Sequence, residues 1–234
     1  MINMRSAYKR EASDWAGCLS SIALVALSVY QMPRASVVVV PLVIPDLLRA
    51  GAFLIRGQKF ASLPGMLPKF ASYAGGFAAF ILFNLFSYFR PQWTMHNDGP
   101  IATLGRLMLL AGIALTSWAV WQLRHSFSIE PQARALVTSG PYGISRHPIY
   151  VLHIVQTLGL WLCHRTFAVA AIVLISGAFQ GLRMYYEERI LSRTFPEYAD
   201  YRKHVDIFGL RALHTMMKEL APAGNSAPIQ TTRG

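Results

Sequence analysis

Apolar residues in this chain are gathered into blocks, and each block has about the ~20-residue length that a helix needs to cross the hydrocarbon core of a bilayer. The blocks cover residues 15–30, 36–55, 70–89, 101–123, 147–164 and 167–186. Charge is correspondingly scarce. Of the 234 residues, 53% are hydrophobic and 14% are charged, against roughly 25% charged in an ordinary soluble domain. A chain this long could bury a large soluble core, yet it lacks the charges to coat one. The pattern predicts an all-α, polytopic transmembrane helical bundle of about six spans, forming one membrane domain.

The formal net charge of +11, from 22 Lys and Arg against 11 Asp and Glu, invites a nucleic-acid reading. Its placement argues against one. With the N-terminus cytoplasmic, the inner segments are 1–14, 56–69, 124–146 and the stretch after 187. They hold Arg5, Lys9 and Arg10, then Arg56, Lys59 and Lys69, then Arg124, Arg134 and Arg146, then a basic tail. The outer turns hold Arg34, Arg90 and Arg165. This is the positive-inside asymmetry, and the surplus charge adds attraction to anionic inner-leaflet lipid. Membrane lipids are thus expected partners and nucleic acid is not. The sequence does not set the oligomeric state. The compact chain and sparse loops point to a bacterial inner membrane, with both termini cytoplasmic. Cys18 and Cys163 fall inside apolar blocks and read as small buried hydrophobes, so neither a disulfide framework nor a metal site is expected. Arg5, Lys9 and Arg10 before an apolar run resemble a secretion signal. No small-residue cleavage pattern closes that run, and a retained first span is expected.

Turn signals punctuate the blocks. Gln31-Met32-Pro33-Arg34 makes a tight first connection, and residues 57–69, with Pro64, Gly65 and Pro68, read as a cytoplasmic loop. Arg90-Pro91-Gln92-Trp93 closes the third block with an interfacial aromatic. His164-Arg165-Thr166 leaves room only for a turn, so the last two blocks form a helical hairpin. The longest connection, 124–146, is cytoplasmic. Beyond Val205, Ile207, Leu210, Leu213, Met217 and Leu220 recur near helical spacing with Arg211 and Lys218 between them, which predicts an interfacial amphipathic helix. The tail 221–234 is rich in Pro, Gly, Ser and Thr and reads as disordered.

Three features do not follow from membrane logic. The first is Gly140-Pro141-Tyr142-Gly143, a turn, followed by Arg146-His147-Pro148-Ile149-Tyr150, with Pro148 suited to the first turn of a helix. Helix N-termini attract carboxylates and phosphates, although anchoring at a membrane boundary accounts for these residues equally well. The second is the polar end of the sixth block, Gln180, Arg183, Glu187 and Glu188. Arg183 and Glu187 stand at i,i+4 on one helix face. A charge near the bilayer centre costs about 3 kcal/mol and faces a cavity or a protein interior; on spacing alone, snorkelling to the interface explains Arg183 better. The third is Phe195-Pro196-Glu197-Tyr198-Ala199-Asp200-Tyr201, which aromatic packing would also explain.

Taken in order, these segments resemble the isoprenylcysteine carboxyl methyltransferase family and its related bacterial membrane methyltransferases. The family pattern runs Leu-Val-Thr-x-Gly-x-Tyr, Arg-His-Pro-x-Tyr, an apolar hairpin, Glu-Glu-x-x-Leu and Phe-x-x-Tyr-x-x-Tyr. The chain has Leu136-Val137-Thr138-Ser139-Gly140-Pro141-Tyr142, Arg146-His147-Pro148-Ile149-Tyr150, Glu187-Glu188-Arg189-Ile190-Leu191 and Phe195…Tyr198…Tyr201. It departs from the pattern after Val205, where the family's Val-x-Arg-x-x-Pro is absent, and at His153, where relatives often carry a small or acidic residue.

The resemblance implies an S-adenosylmethionine-dependent methyltransferase acting on a carboxylate or similar group of a lipophilic acceptor. Its cofactor pocket would face the cytoplasm, between the 124–146 connection and the last helical hairpin. Arg134, Ala135, Leu136, Val137 and Tyr142 would line the cofactor, His147, Pro148, Ile149 and Tyr150 would hold it at a helix start, and Glu187 would meet its charged end. Arg183 would face the acceptor as substrate-binding and catalytic residue. The chain then divides into four spans over 1–123, a methyltransferase core over 124–205, and an interfacial helix and tail over 206–234. Two other readings stay open: an NADPH-dependent membrane reductase of the sterol reductase type, and a non-catalytic polytopic scaffold. Asp46 and Arg49, i,i+3 in the second block, are expected to neutralise one another inside the bundle.

Overall fold

The structure, a computed structural model, describes residues 12–31, 39–89 and 98–220. The basic N-terminal cluster, the turn after Gln31, the 90–93 cap and the 221–234 tail lie outside the described residues. Helices α1 (Ala12–Gln31), α2 (Val39–Ile55), α3 (Met66–Phe89), α4 (Pro100–Leu123), α6 (Pro148–His164) and α7 (Phe167–Thr194) coincide with the apolar blocks. Short helices α5 (Pro141–Ile144), α8 (Tyr198–His204) and α9 (Leu210–Leu220) belong to the polar segments. Two-residue strands β1 (Ala61–Ser62) and β2 (Gln132–Ala133) pair antiparallel, Ala61 opposite Ala133, and join the two connections expected to be cytoplasmic.

Among the described residues, three helices are long and apolar enough to cross a membrane: Met66–Phe86, Pro100–Leu123 and Phe167–Thr194. Their outward faces carry Ile81, Leu104, Leu107, Leu115, Phe167 and Leu174, all exposed, as a lipid-facing surface requires. The chain is an integral membrane protein. Helices α2 and α6, with 17 residues each, are shorter. At 28 residues, α7 extends about 42 Å, beyond the ~30 Å hydrocarbon core. The apolar block ends at 186, but the helix continues through Glu187, Glu188 and Arg189 to Thr194, which carries its acidic pair beyond the apolar block.

Pairwise packing sets the bundle: α4 lies on α6, α3 on α7, and α1 on α2. The α4–α6 contact is made backbone to backbone by two glycines. A Cβ on Gly105 would lie 2.5 Å from the Gly159 carbonyl oxygen, and one on Gly159 would lie 2.7 Å from that of Gly105. Small residues give membrane helices this close approach, where lipid supplies no hydrophobic drive for association. Gln156 adds a hydrogen bond to Thr116 across the same seam, at 2.7 Å. The α6–α7 turn is as tight as expected. Arg165 takes a left-handed conformation, φ 51, and Thr166 caps α7 by accepting the Val169 N–H at 3.3 Å.

Where the 124–146 connection crosses the bundle, a buried apolar cluster receives it: Cys18, Phe53, Val120, Phe127, Ile129 and Ile149. Phe127 meets Phe53 edge to face, centroids 5.3 Å apart. Beside this cluster Arg56 pairs with Asp14, donates to the Phe127 carbonyl at 3.3 Å and lies over the Phe53 ring. The connection is thereby pinned near its beginning, and its far end leads to the start of α6.

Candidate functional site at the start of α6

Pro148 occupies the first turn of α6, where its missing N–H is of no consequence and its fixed φ favours the helix. The short helix α5 precedes it, and Gly140 makes the turn into α5 at φ 62, a left-handed conformation that glycine adopts freely. This elbow is held from outside by the residues after α8. The Arg146 N–H donates to the Asp206 carbonyl at 2.9 Å, its Nη1 to Val205 and Arg202 carbonyls at 3.1 and 3.2 Å, and Ser145 Oγ to Ile207. Tyr201 donates its hydroxyl to the Tyr142 carbonyl at 2.6 Å. Burial pushes the Tyr201 phenol up to about 12, an effect the neighbouring Arg146 opposes, so the group remains a donor at any physiological pH.

The elbow opens on a cavity enclosing about 570 Å³ of empty space, part of it open to solvent. Tyr142, Arg146, His147, Pro148, Ile149 and Tyr150 line one side, Phe127, Ser128 and Ile129 a second, and Arg183 and Glu187 of α7 a third. Arg49 and His153 close its inner end. Tyr150 donates its hydroxyl to Glu187 Oε2. The Arg183 guanidinium lies over the Tyr150 ring, 4.9 Å from its centroid, and donates to the Ser128 carbonyl at 3.3 Å. Gly76 on α3 leaves the room: a Cβ there would stand 3.4 Å from Arg183 Nη1. Arg183 is 6% exposed, so it faces the interior and does not snorkel.

Of the residues expected to contact a cofactor, the structure brings Tyr142, His147, Pro148, Ile149, Tyr150 and Glu187 to this cavity, together with Arg183. Arg134, Ala135, Leu136 and Val137 are not on its wall. Arg134 turns into the bundle, where it donates to Gly57 and Gln132 and lies 4.0 Å from Asp14. The β1–β2 pairing produces this: strand β2 ends at Ala133 and aims the next residue at the C-terminal end of α2. His147 uses its Nε2 on Glu188, 3.1 Å away, and Arg146 reaches the same carboxylate oxygen at 3.0 Å.

Several residues on or beside the cavity wall were given no site role in the sequence reading. Glu188 orients His147, and its position beside Glu187 was the available signal. Phe127, Ser128 and Ile129 lie in a connection without a distinctive pattern. Arg49, read with Asp46 as a self-neutralising pair, does bind Asp46, but its Nη2 also contacts His153 Nε2 at 3.2 Å. The same three residues Arg49, Gly76 and His153 line a second, larger cavity between the membrane helices, with about 1200 Å³ of empty space, part of it open to the outside. Its walls come from Pro45, Ala79, Phe80, Phe83, Leu109, Ile154, Leu160, Ser176 and Gln180, among others. On α7, Ser176, Gln180, Arg183 and Glu187 follow at helical spacings of four, three and four, which puts them on one face. The first two line the inner cavity and the last two the elbow cavity.

Residues 101–198 are matched by the phospholipid methyltransferase family model. Among curated proteins, the chain is 38% identical over 74 residues to the cobalt-zinc-cadmium resistance protein CzcN of Cupriavidus metallidurans, which is 31% of this chain and 34% of that protein. It is equally similar, 38% over 74 residues, to the nickel-cobalt-cadmium resistance protein NccN of Alcaligenes xylosoxydans xylosoxydans, covering 31% and 35% of the two chains. The matched stretch spans about a third of the length of these curated relatives. Among solved structures, the eukaryotic intramembrane Ras methyltransferase, isoprenylcysteine carboxyl methyltransferase, aligns over 81% of this chain and 73% of its own, at 20% identity and a TM-score of 0.45.

Proposed function

We propose that this chain, whose residues 101–198 match the phospholipid methyltransferase family model, is a membrane-embedded, S-adenosylmethionine-dependent methyltransferase that modifies a carboxylate or similar group on a lipophilic acceptor. One observation carries the reading. A cavity at the elbow, whose wall carries Arg146, His147, Arg183 and Glu187, and a second cavity inside the bundle meet at Arg49, Gly76 and His153. A polar methyl donor and a lipophilic acceptor can therefore approach one another from opposite sides. The basic inner segments support a cytoplasmic face for the elbow, and a bacterial inner membrane is the setting we favour.

The residues present fit the cofactor. Arg146 Nε and Ser128 Oγ are buried on the elbow wall without a hydrogen-bond partner, two groups that a polar ligand would satisfy. Glu187 supplies negative charge, and Tyr142 and Tyr150 supply aromatic faces suited to a sulfonium and an adenine. When bound, S-adenosylmethionine supplies an electrophilic methyl group. His147 is oriented by Glu188 and, at the helix start, leaves Nδ1 for a ligand. The Tyr142 phenol is raised well above its ordinary range by burial and then by Glu187, so it stays neutral beside the carboxylate.

Arg183 would hold the acceptor. Its one hydrogen bond, to the Ser128 carbonyl, leaves further N–H groups for a bidentate grip on a carboxylate. An ionised carboxylate, with a pKa near 4, needs no general base at neutral pH. Alignment and exclusion of water are then what the site contributes.

Calorimetry on the purified chain in detergent tests the reading. S-adenosylmethionine should bind and NADPH should not, and Glu187→Ala or His147→Ala should weaken binding at least about tenfold. Arg183→Ala should retain cofactor affinity and lose turnover of a lipophilic carboxylate. Binding of NADPH in place of S-adenosylmethionine would turn the assignment to a reductase, and binding of neither would leave a scaffold.

A further inference from the structure

A cavity built for a bare hydrocarbon chain needs hydrocarbon walls. The inner cavity is apolar over most of its surface, but its α7 wall is not. Ser176 and Gln180, both 4% exposed, stand one turn apart and line it. Neither is satisfied: Ser176 Oγ and one end of the Gln180 amide are buried without a hydrogen-bond partner. Serines inside helices ordinarily donate to a carbonyl of the preceding turn. In this chain Ser21, Ser72 and Ser117 do so, to Gly17, Pro68 and Ile113 at 3.0, 2.8 and 2.8 Å. Ser176 does not.

The identity of the free amide end follows from its neighbours. Arg49 can only donate, so His153 Nε2 must accept, and the neutral ring carries its proton on Nδ1. A protonated ring or the other tautomer would set two donors against each other. Gln180 lies 3.0 Å from Nδ1, so the amide oxygen must face the ring, the half-turn of the amide that this network dictates. The NH2 group is then the end left buried without a partner, on a residue of the cavity wall. Asn84 donates to the Phe80 carbonyl at 2.7 Å and Thr157 to those of His153 and Ile154 at 3.0 Å, so these donors are already used. The remaining polar capacity of the α7 wall is one amide donor and one hydroxyl, about 6 Å apart along the helix.

We infer that the inner cavity receives a lipophile that carries an oxygen function, a hydroxyl or carbonyl, partway along its body, read by Gln180 and Ser176. A plain acyl or prenyl chain would leave both groups unsatisfied in a low-dielectric wall, at the cost of an unmet hydrogen bond. Only the name acceptor for this molecule rests on the methyltransferase reading; the binding site itself does not. Gln180 sits one turn from Arg183, so the oxygen of the body lies deeper in the membrane than the group held by Arg183.

The test uses the full chain in lipid nanodiscs and two probes alike in length and head group, stearate and a mid-chain hydroxystearate, with S-adenosylmethionine binding measured on the same preparation. The hydroxylated probe should bind about tenfold more tightly. Gln180→Leu should erase the preference, and Ser176→Ala, which removes one oxygen and is the milder change, should reduce it. Equal affinities, or a preference unchanged in Ser176→Ala, overturn the inference. Loss of S-adenosylmethionine binding with the preference intact would remove the methyltransferase reading and leave the oxygen-reading cavity standing.

Discussion

Two pairs of arginines, three of them buried and Arg49 half-buried, divide this protein into scaffold and site. Arg56 and Arg134 converge on Asp14, all three at 4% exposure or less. Arg56 adds the Phe127 carbonyl and the Phe53 ring, and Arg134 adds Gly57 and Gln132. Arg49 and Arg183 converge on the junction of the two cavities. Arg49 has Asp46 and a neutral histidine, while Arg183 has one backbone oxygen and the face of Tyr150. Burying a charge is costly unless partners are supplied. Where they are abundant and internal, the cluster fixes the chain; where donors are left over beside a cavity, the missing partner comes from a ligand. Arg134, which the family resemblance put beside a cofactor, belongs to the first class and Arg183 to the second.

The sharpest way to break this distinction is to remove one charge from each cluster. Asp14→Ala leaves two buried guanidiniums without their carboxylate and should cost about 3–5 kcal/mol, seen as a collapse of the thermal midpoint or of yield. Should Asp14→Ala unfold no earlier than the parent, the scaffold role is refuted. Arg183→Ala should reverse the pattern: turnover falls on the order of 10²–10³-fold, the scale of a lost charge-stabilising donor, with a thermal midpoint near that of the parent. A smaller effect belongs to the seam that carries α6 to the elbow. Gly159→Ala drives a methyl group onto the Gly105 carbonyl and should cost about 1–3 kcal/mol as overpacking, with cofactor affinity falling as α6 shifts; a stabilised variant would show that the seam is not backbone-tight.

Sequence showed the parts of this division that are local. The helices were legible as apolar blocks, and the elbow residues and Glu187 as ordered motifs, because both depend on spacing along the chain. Arg134 was named only through the family resemblance, and its direction was not legible, since that depends on a two-residue strand pairing with residues near 61. Asp46 and Arg49 showed as neighbours at i,i+3. The third member, His153, lies 104 residues away from Arg49, and no local pattern connects them. The sequence put Arg183 and Glu187 on one helix face but did not mark where that helix ends. Hydropathy reports where a helix is apolar, and α7 leaves its apolar block without ceasing to be a helix, carrying Glu187 and Glu188 to the elbow.

The smallest effect is expected at the outer edge of the site, where Asp206 joins the elbow to α9. Its carbonyl accepts the Arg146 N–H, and its carboxylate accepts the Leu210 and Arg211 N–H groups at 3.0 and 2.7 Å. Its slight burial would raise the pKa, but hydrogen bonds from the Arg211, Leu210 and Gly209 N–H groups outweigh this and hold the carboxyl below the usual range. A depressed folded-state pKa means the stabilisation is present in full above about pH 4, the ordinary carboxyl value, and is lost as pH falls through the folded value. The group is largely solvated, so about 0.5 kcal/mol or less is at stake. The protection of α9 against hydrogen exchange, taken relative to the intrinsic rate at each pH, should therefore be constant near neutrality and fall below about pH 4, with Asp206→Asn showing the lower protection throughout. The exposed apolar face of α9, Leu210, Leu213 and Met217, should gain protection in nanodiscs with anionic lipid through Arg211 and Lys218. If acid loosens α9 without weakening S-adenosylmethionine binding, Asp206 belongs with the scaffold cluster; if both respond together, the elbow and its cavity extend to the membrane surface.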